Sequence, residues 1–175
     1  MSFTYADLLE MPEELHCEIF DGELIVNESR TTRHQGIVGS LALALMTYED
    51  RSHLGTVFFG PLDVVFTPRW VLTPDILFIR GERKAIITET NISGPPDLTV
   101  EIVDESTRRR DEIIKLKAYE EFGVGEYWIV DPALESVKIF RRGGSGCYER
   151  AVEGASLTSP LFPGLEIALA EVFAE

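Results

Sequence analysis

The sequence has little of what marks secreted, membrane-spanning or disulfide-rich proteins. Its two cysteines, Cys17 and Cys147, are too few for a disulfide framework and are not spaced like metal ligands. The longest purely apolar stretch, LALALM, is far too short to cross a bilayer, and the acidic N-terminus MSFTYADLLEMPEE lacks the basic flank of a signal peptide. We therefore expect a protein of the reducing cytoplasm, with no membrane partner.

Positive charge is also scarce. The chain has 16 Lys and Arg against 30 Asp and Glu, a formal net charge of −14. Proteins that bind phosphate backbones usually carry a basic patch, because neutralising phosphates supplies most of the affinity. Here the only dense basic run is Arg108 to Arg110. The overall charge therefore counts against a nucleic-acid partner, although a small basic rim can lie on an acidic body.

The length of 175 residues and the order of the predicted elements indicate one domain, residues 1–175, of the mixed α/β class. The patterns predict a hairpin at 17–26, a helix at 33–51, two strands within 56–80, a strand at 97–103, a helix at 106–123, strands at 126–132 and 136–142, and a short C-terminal helix. This order predicts a central mixed sheet flanked by helices, with an N-terminal β-hairpin.

Acidic residues interrupt three of the apolar strands: Asp63 in PLDVVF, Asp75 in TPDILFI and Glu101 in LTVEIV. Alternation places Glu101 on the face opposite to the apolar residues of its strand, where an unpaired carboxylate is expensive to bury. Several acids on neighbouring strands suggest a shared divalent cation held by carboxylate oxygens. The alternative is that one or two of them lie at strand ends in solvent, and the strands alone leave both open.

The helix at 106–123 contains a lysine within an apolar stripe. Its apolar arc consists of Ile114, Ala118, Tyr119 and Phe122. Lys115 falls in the middle of this arc, whereas Lys117 points away. Such a lysine either reaches the edge of the stripe or pairs with a buried acid, for which Glu101 is the natural partner. Two carboxylates and a lysine around a divalent metal suit phosphodiester hydrolysis, in which the lysine orients the nucleophile or stabilises negative charge.

The segments EIFDGEL, TPDILFI, PPDLTVEIV and RRRDEIIKLKAYEEFGVGEYWIVDP together resemble the Uma-type family of predicted restriction endonucleases, a bacterial branch of the PD-(D/E)XK nuclease superfamily. The resemblance covers almost the whole chain and is most specific from Lys115 to Pro132. It implies a restriction-endonuclease-like core, Mg²⁺ or Mn²⁺ as cofactor, and DNA as partner.

By this resemblance Asp75 is the motif aspartate and Glu101 the motif acid, both catalytic and both metal ligands. The superfamily expects a lysine two residues after that acid, where this chain has Val103. In this family the lysine comes from the following helix, which makes Lys115 the third catalytic residue. Asp97, in the sequence PPD, mimics the motif but is roughly 13 Å from Glu101 at strand rise, too far to share one ion.

Four further residues match positions that the family tends to keep: Glu18, His34, Asp111 and Tyr119. Glu18 either closes one wall of the site or is an exposed strand carboxylate, and the exposed position is favoured. His34 either touches water at the metal or caps its helix, and the cap is favoured. Asp111 lies in the first turn of its helix, where complementing the helix dipole is sufficient to explain it.

The leading hypothesis is a metal-dependent endonuclease that hydrolyses DNA phosphodiester bonds. The alternative is a non-catalytic nuclease-fold module acting in assembly or regulation. The acidic charge favours the module, whereas the intact set of Asp75, Glu101 and Lys115 favours the enzyme. A homodimer is also expected, because duplex cleavage by a single-site nuclease normally needs two copies, and the strands EYWIV and VKIF are predicted to offer exposed apolar surface.

Overall fold

The structure, a computed structural model, describes residues 2–12, 14–151 and 154–174. The helices are α1 (Tyr5–Leu9), α2 (Thr32–Ser52), α3 (Leu116–Phe122) and α4 (Leu169–Val172), with a 3-10 segment at Gly81–Ile86 and a π-helical segment at Arg110–Lys115. The strands are β1 (Cys17–Phe20), β2 (Glu23–Val26), β3 (Gly55–Phe59), β4 (Val64–Thr67), β5 (Trp70–Leu72), β6 (Ile76–Arg80), β7 (Ile92–Ser93), β8 (Leu98–Ile102), β9 (Glu126–Asp131), β10 (Ser136–Arg142), β11 (Tyr148–Arg150), β12 (Ser156–Leu157) and β13 (Ile167–Ala168).

A six-stranded mixed sheet forms the centre of the fold, in the order β11-β10-β9-β8-β6-β3. Only β8 and β9 run parallel in it, and the chain between them carries the π-helical segment and α3. A five-stranded sheet of order β2-β1-β5-β4-β7 and a small β12-β13 pair complete the strands of the described residues. The predicted mixed sheet with flanking helices and an N-terminal hairpin is confirmed.

The central sheet is covered on both faces. On one face α2 packs Ile37, Leu41 and Leu45 against a core that includes Val100 and Trp128. On the other face a second core cluster contains residues of α3, of the five-stranded sheet and of β9. Because Leu98, Val100 and Ile102 all belong to the α2 side, strand alternation directs Glu101 toward α3, as the sequence predicted.

The segment 56–80 differs from its prediction, because it forms four strands where the pattern indicated two. Turns at Gly60–Leu62 and at Pro68-Arg69 interrupt the apolar runs, so β3 and β6 stay in the central sheet while β4 and β5 join the hairpin β1-β2. Runs of three to five residues between turns are too short for their periodicity to show whether a segment forms one strand or two.

Of the two apolar strands expected to be exposed, EYWIV is buried throughout and VKIF alternates between buried and half-buried residues. All six residues of β9 are buried, and so are Val137 and Ile139 of β10. The reason is topological, since β9 lies between β8 and β10 and both of its faces are covered. Among the helices that the structure describes, none has the length and apolar character needed to cross a membrane.

Candidate active site

Strand pairing brings the two motif acids together. Strands β6 and β8 are antiparallel with Ile76 opposite Val100, so Asp75, one residue before β6, stands opposite Glu101. Residues directly opposite in such a pair have Cα atoms about 4.5–5.5 Å apart and side chains on the same face. The backbone N–H of Ile102 donates to Asp75 Oδ2 over 2.7 Å, which orients that carboxylate at the strand end.

Glu101 is paired with the lysine that its helix supplies. Lys115 Nζ lies 2.7 Å from Glu101 Oε1, and the Tyr119 hydroxyl donates to the same oxygen over 2.7 Å. All three side chains are buried, Lys115 completely, whereas Lys117 is exposed. The prediction that Lys115 lies within hydrogen-bonding distance of Glu101 is therefore confirmed, while its catalytic role stays a prediction.

The π-helical segment determines which side chains face the acids. In a regular α-helix Ile114 belongs to the apolar arc, but here it is 43% exposed, and Asp111 and Lys115 point inward instead. The wider i→i+5 turns of Arg110–Lys115 change the phase between this segment and α3. The expected position of Ile114 was wrong for this reason, because sequence periodicity assumes α-helical geometry throughout.

Two further carboxylates surround the Lys115 ammonium. Glu18 Oε1 lies 2.8 Å from Nζ and also accepts a hydrogen bond from the Thr73 N–H over 2.9 Å, and Asp111 Oδ1 lies 3.7 Å from Nζ. Glu18 is 0% exposed, so the favoured reading of an exposed strand carboxylate was wrong. Asp111 is buried too, so a dipole effect alone does not account for it. Among the residues described, Glu18 Oε2 and Asp111 Oδ1 have no hydrogen-bond partner.

The excess of acid in this cluster shifts its protonation equilibria. Burial raises the pKa of Glu101 to about 8, assisted by Asp111, Asp75 and Glu18 and opposed by Lys115. Burial alone would lower the pKa of Lys115, but Glu101, Glu18 and Asp111 outweigh it and raise that pKa above its usual value. Lys115 therefore keeps its proton, and its ammonium is shared by three acidic side chains, of which Glu101 holds its own proton up to about pH 8 in the absence of a cation.

His34 contacts Asp75 and is not the helix cap. Its Nε2 lies 3.2 Å from Asp75 Oδ2, while its backbone N–H donates to the Thr31 side chain over 3.1 Å. Thr31 therefore caps α2. It is the residue before the first helical residue, and its hydroxyl oxygen accepts a hydrogen bond from a backbone N–H of the first turn. The favoured assignment of His34 as the cap was wrong. His34 Nδ1 is buried and has no partner in the described part of the chain.

Arg30 is a member of the site that the sequence did not indicate. Its guanidinium lies 4.0 Å from Asp75 Oδ1 and 3.8 Å from Asp104 Oδ2. Asp97 lies outside the site, as the sequence predicted. It accepts a hydrogen bond from the Arg80 N–H and forms an ion pair with Arg83. Arg30 comes from the irregular loop before α2, where no periodicity or motif signals a role.

The donor set fits one hard divalent cation with a largely aqueous shell. Among the residues that the structure describes, both hydrogen bonds to the Glu101 side chain end on Oε1, and Asp75 Oδ1 has only the distant Arg30 as partner. Each acid therefore has an oxygen available. No group of three or more His, Cys, Asp or Glu side chains suited to one ion occurs among the described residues. Mg²⁺ is commonly held by one or two carboxylates with water elsewhere, which matches this pair.

Two clefts meet at His34, and one of them gives solvent access to Asp75. The first, of about 580 Å³, is lined by residues that include Thr31, Val103 and Arg108. The second, of about 270 Å³, includes Arg30 and Asp75 in its lining. Asp75 is therefore reached from outside, whereas Glu101, Lys115 and Glu18 line neither cleft and are buried.

A mixed sheet that places two acids side by side, with a lysine on a flanking helix, defines a protein of restriction-endonuclease-like fold. The family model described as "Uma2: Putative restriction endonuclease" matches residues 4–170, and the chain belongs to this family. A crystal structure of "a putative nuclease belonging to DUF820 from Anabaena variabilis ATCC 29413" has the same fold, with a TM-score of 0.80, 19% identity and 98% of each chain covered. The comparison with curated proteins finds no match.

The raised pKa of Glu101 makes the stability of the metal-free protein depend on pH. Between 4.5, the ordinary pKa of this carboxyl group, and about 8, the folded chain keeps a proton that the unfolded chain has released. We expect the free energy of unfolding to be highest at the acidic end of this interval and to fall as the pH rises, by about 1.4 kcal/mol per pH unit at the steepest. Urea denaturation across the interval measures it. Glu101→Gln, whose amide does not titrate, should show a flatter profile, and equal slopes would contradict the assignment.

Proposed function

We propose that this protein is a metal-dependent endonuclease that hydrolyses DNA phosphodiester bonds in the reducing cytoplasm. The observation that carries the proposal is the pairing of Asp75 opposite Glu101, with the Lys115 ammonium 2.7 Å from Glu101. Membership of a family described as restriction endonucleases supports the reaction class and the DNA substrate. The two unpaired cysteines, Cys17 and Cys147, agree with a reducing compartment.

The side chains of the site divide into ligands and residues that position them. Bound between Asp75 and Glu101, Mg²⁺ or Mn²⁺ would polarise a phosphoryl oxygen and lower the pKa of a coordinated water. Asp75 is oriented by the Ile102 N–H and by His34, and Glu101 is oriented by Lys115 and Tyr119. These contacts hold both carboxylates in one arrangement before any substrate arrives, which is the preorganisation that such catalysis requires.

Lys115 acts through Glu101 rather than on the substrate. Its three N–H groups face an environment of three carboxylates, at 2.7, 2.8 and 3.7 Å, and its side chain is 1% exposed. An ammonium enclosed in this way holds Glu101 in position, and it lines neither of the two clefts beside His34. We therefore assign Lys115 as a positioning residue for the metal ligand.

A non-catalytic module remains the second candidate, and one observation favours it. The net charge of −14 opposes the approach of DNA over long distances, and a module that binds protein partners is free of this cost. The two candidates differ in what they require of the acids. An enzyme needs Asp75 and Glu101 to bind a cation, whereas a module needs these acids only to stabilise its fold.

The direct test is a cleavage assay on plasmid and single-stranded DNA in Mg²⁺ and in Mn²⁺, combined with calorimetric titration of Mn²⁺. We expect one Mn²⁺ site and cleavage in the wild type, and loss of both in Asp75→Asn, because an amide oxygen is a poorer ligand for a hard cation than a carboxylate. Asp97→Asn is the matched control, since that acid pairs with Arg83 away from the site. Unchanged Mn²⁺ binding in Asp75→Asn would refute the placement, and an intact protein that cuts neither substrate would favour the module.

The positioning role of Lys115 predicts a change in pH dependence. In Lys115→Met, Glu101 loses the cation that opposes its raised pKa, so both Mn²⁺ binding and cleavage should require a higher pH than in the wild type. Cleavage at neutral pH should fall by about 100-fold or more. Lys117→Met, on the exposed side of the same helix, should behave like the wild type. A Lys115→Met protein that is folded by circular dichroism and keeps the wild-type pH profile would contradict this role.

A homodimer belongs to the same proposal, because a duplex has two strands and each copy has one site. The buried strand β9 offers no contact surface for it, and in β10 Val137 and Ile139 are buried too. Light scattering at micromolar concentration should give twice the monomer mass, either alone or with duplex DNA in Ca²⁺. A monomeric mass under both conditions would exclude the dimer.

A further inference from the structure

The substrate of the proposed reaction is anionic, so the site needs a cation that can reach a phosphate. Lys115 does not qualify, since it is enclosed by three carboxylates and buried. Arg110 lies 4.0 Å from the buried Glu18 and lines neither of the two clefts. The remaining candidates are the arginines that line the clefts.

Two of these arginines already have hydrogen-bond partners. Arg33 donates to the Pro132 carbonyl over 3.1 Å and to Glu135 over 3.2 Å. Arg108 donates to Asp131 and to Glu112, an acid one turn further along its helix. Both guanidinium groups are thus held at the rim of the first cleft by local structure.

Arg30 differs from them in its contacts. Its nearest oxygens are those of Asp75 and Asp104, at 4.0 and 3.8 Å, which are ion-pair distances too long for hydrogen bonds. Among the described residues its guanidinium makes no hydrogen bond, although its side chain is only 19% exposed and it lines the same cleft as Asp75. Five N–H donors in a planar fork, held beside a metal ligand and not engaged, match the geometry of a phosphate group.

We propose that Arg30 is the phosphate-binding residue of this site and contacts the scissile phosphodiester of the bound nucleic acid. This inference rests on the proposed function, because it assumes that the substrate enters the cleft beside Asp75. Asp104 keeps its own partners, accepting from the Thr107 N–H over 2.9 Å and from Ser106 over 2.6 Å, so it does not depend on Arg30.

The same position gives Arg30 a second effect of opposite sign. In the protein without a cation its positive charge partly neutralises Asp75, and this charge repels any divalent ion that approaches the same carboxylate. Removing the charge should therefore tighten metal binding while it weakens phosphate binding. A side chain that only supported the fold would weaken both.

The test compares Arg30→Met and Arg30→Lys with Arg33→Met, which removes the same charge three residues along the chain. We measure Mn²⁺ affinity by calorimetry, binding of a short DNA duplex in Ca²⁺ by fluorescence anisotropy at several salt concentrations, and cleavage in Mg²⁺. Arg30→Met should bind the duplex roughly 10-fold or more weakly, with a slope of log K against log salt that is smaller by about one. It should bind Mn²⁺ about 3–10-fold more tightly and cleave roughly 10–100-fold more slowly.

The lysine variant separates charge from geometry. Arg30→Lys should keep the wild-type salt slope and recover part of the cleavage, because an ammonium retains the charge but not the planar fork. Arg33→Met should leave Mn²⁺ affinity and cleavage unchanged. If Arg30→Met keeps the wild-type salt slope, or if Arg33→Met lowers duplex binding equally, the assignment of Arg30 is overturned.

Failure of this inference and failure of the proposed function give different results. Cleavage by both the wild type and Arg30→Met at equal rates overturns Arg30 alone. A wild type that binds but does not cut the duplex overturns the nuclease, while a reduced salt slope in Arg30→Met still supports the phosphate contact. A wild type that does not bind duplex at any salt concentration overturns both.

Discussion

The arrangement of this site depends on one buried ammonium group. Lys115 lies within 3.7 Å of carboxylates from β1, from β8 and from its own π-helical segment, and so connects both sheets with the crossover helix. Removing one partner from a buried ion pair typically costs about 3–5 kcal/mol, because the other charge is left without compensation. The relative position of the hairpin, the central sheet and this helix is thus coupled to the charge of a single side chain.

That ammonium does not neutralise the acids around it. Within the part of the chain that the structure describes, Glu18 and Asp111 each keep a buried oxygen without a hydrogen bond, and the pKa of Glu101 rises to about 8. A purely structural cluster would be more stable with fewer acids, because each unpaired buried charge opposes folding. An excess of carboxylate beside a solvent-accessible cleft is instead what a cation site needs, and such perturbed groups are concentrated at functional sites.

The acidic composition and a nucleic-acid substrate are compatible once charge is considered locally. The cleft beside Asp75 is lined by Arg30, although the chain as a whole carries a net charge of −14. A cation in the cleft attracts a phosphate over a few ångströms, whereas charges elsewhere on the surface are screened by salt beyond about 10 Å. Overall charge therefore limits the rate of encounter more than it limits what the site binds.

The sequence by itself determined the long helix α2, the crossover helix, the hairpin β1-β2, the strands β8, β9 and β10, and the central contact of the site. Alternation along DLTVEIV placed Glu101 away from the apolar face, and helical periodicity separated the buried Lys115 from the exposed Lys117. These inferences succeeded because each depends on the position of a residue within one element. The same periodicity failed for Ile114, since nothing in the pattern signals a π-helical segment.

Only the tertiary structure decided which residues from distant elements meet. Glu18 of β1 and Asp111 reach the same ammonium as Glu101, Thr31 takes the cap and leaves His34 to Asp75, and Arg30 comes beside Asp75 from a loop. Sheet order likewise buried β9, which its composition had suggested to be a contact surface. The physical reason is that burial and ion pairing depend on distances across the fold between residues far apart in the chain, and local patterns contain no information about those distances.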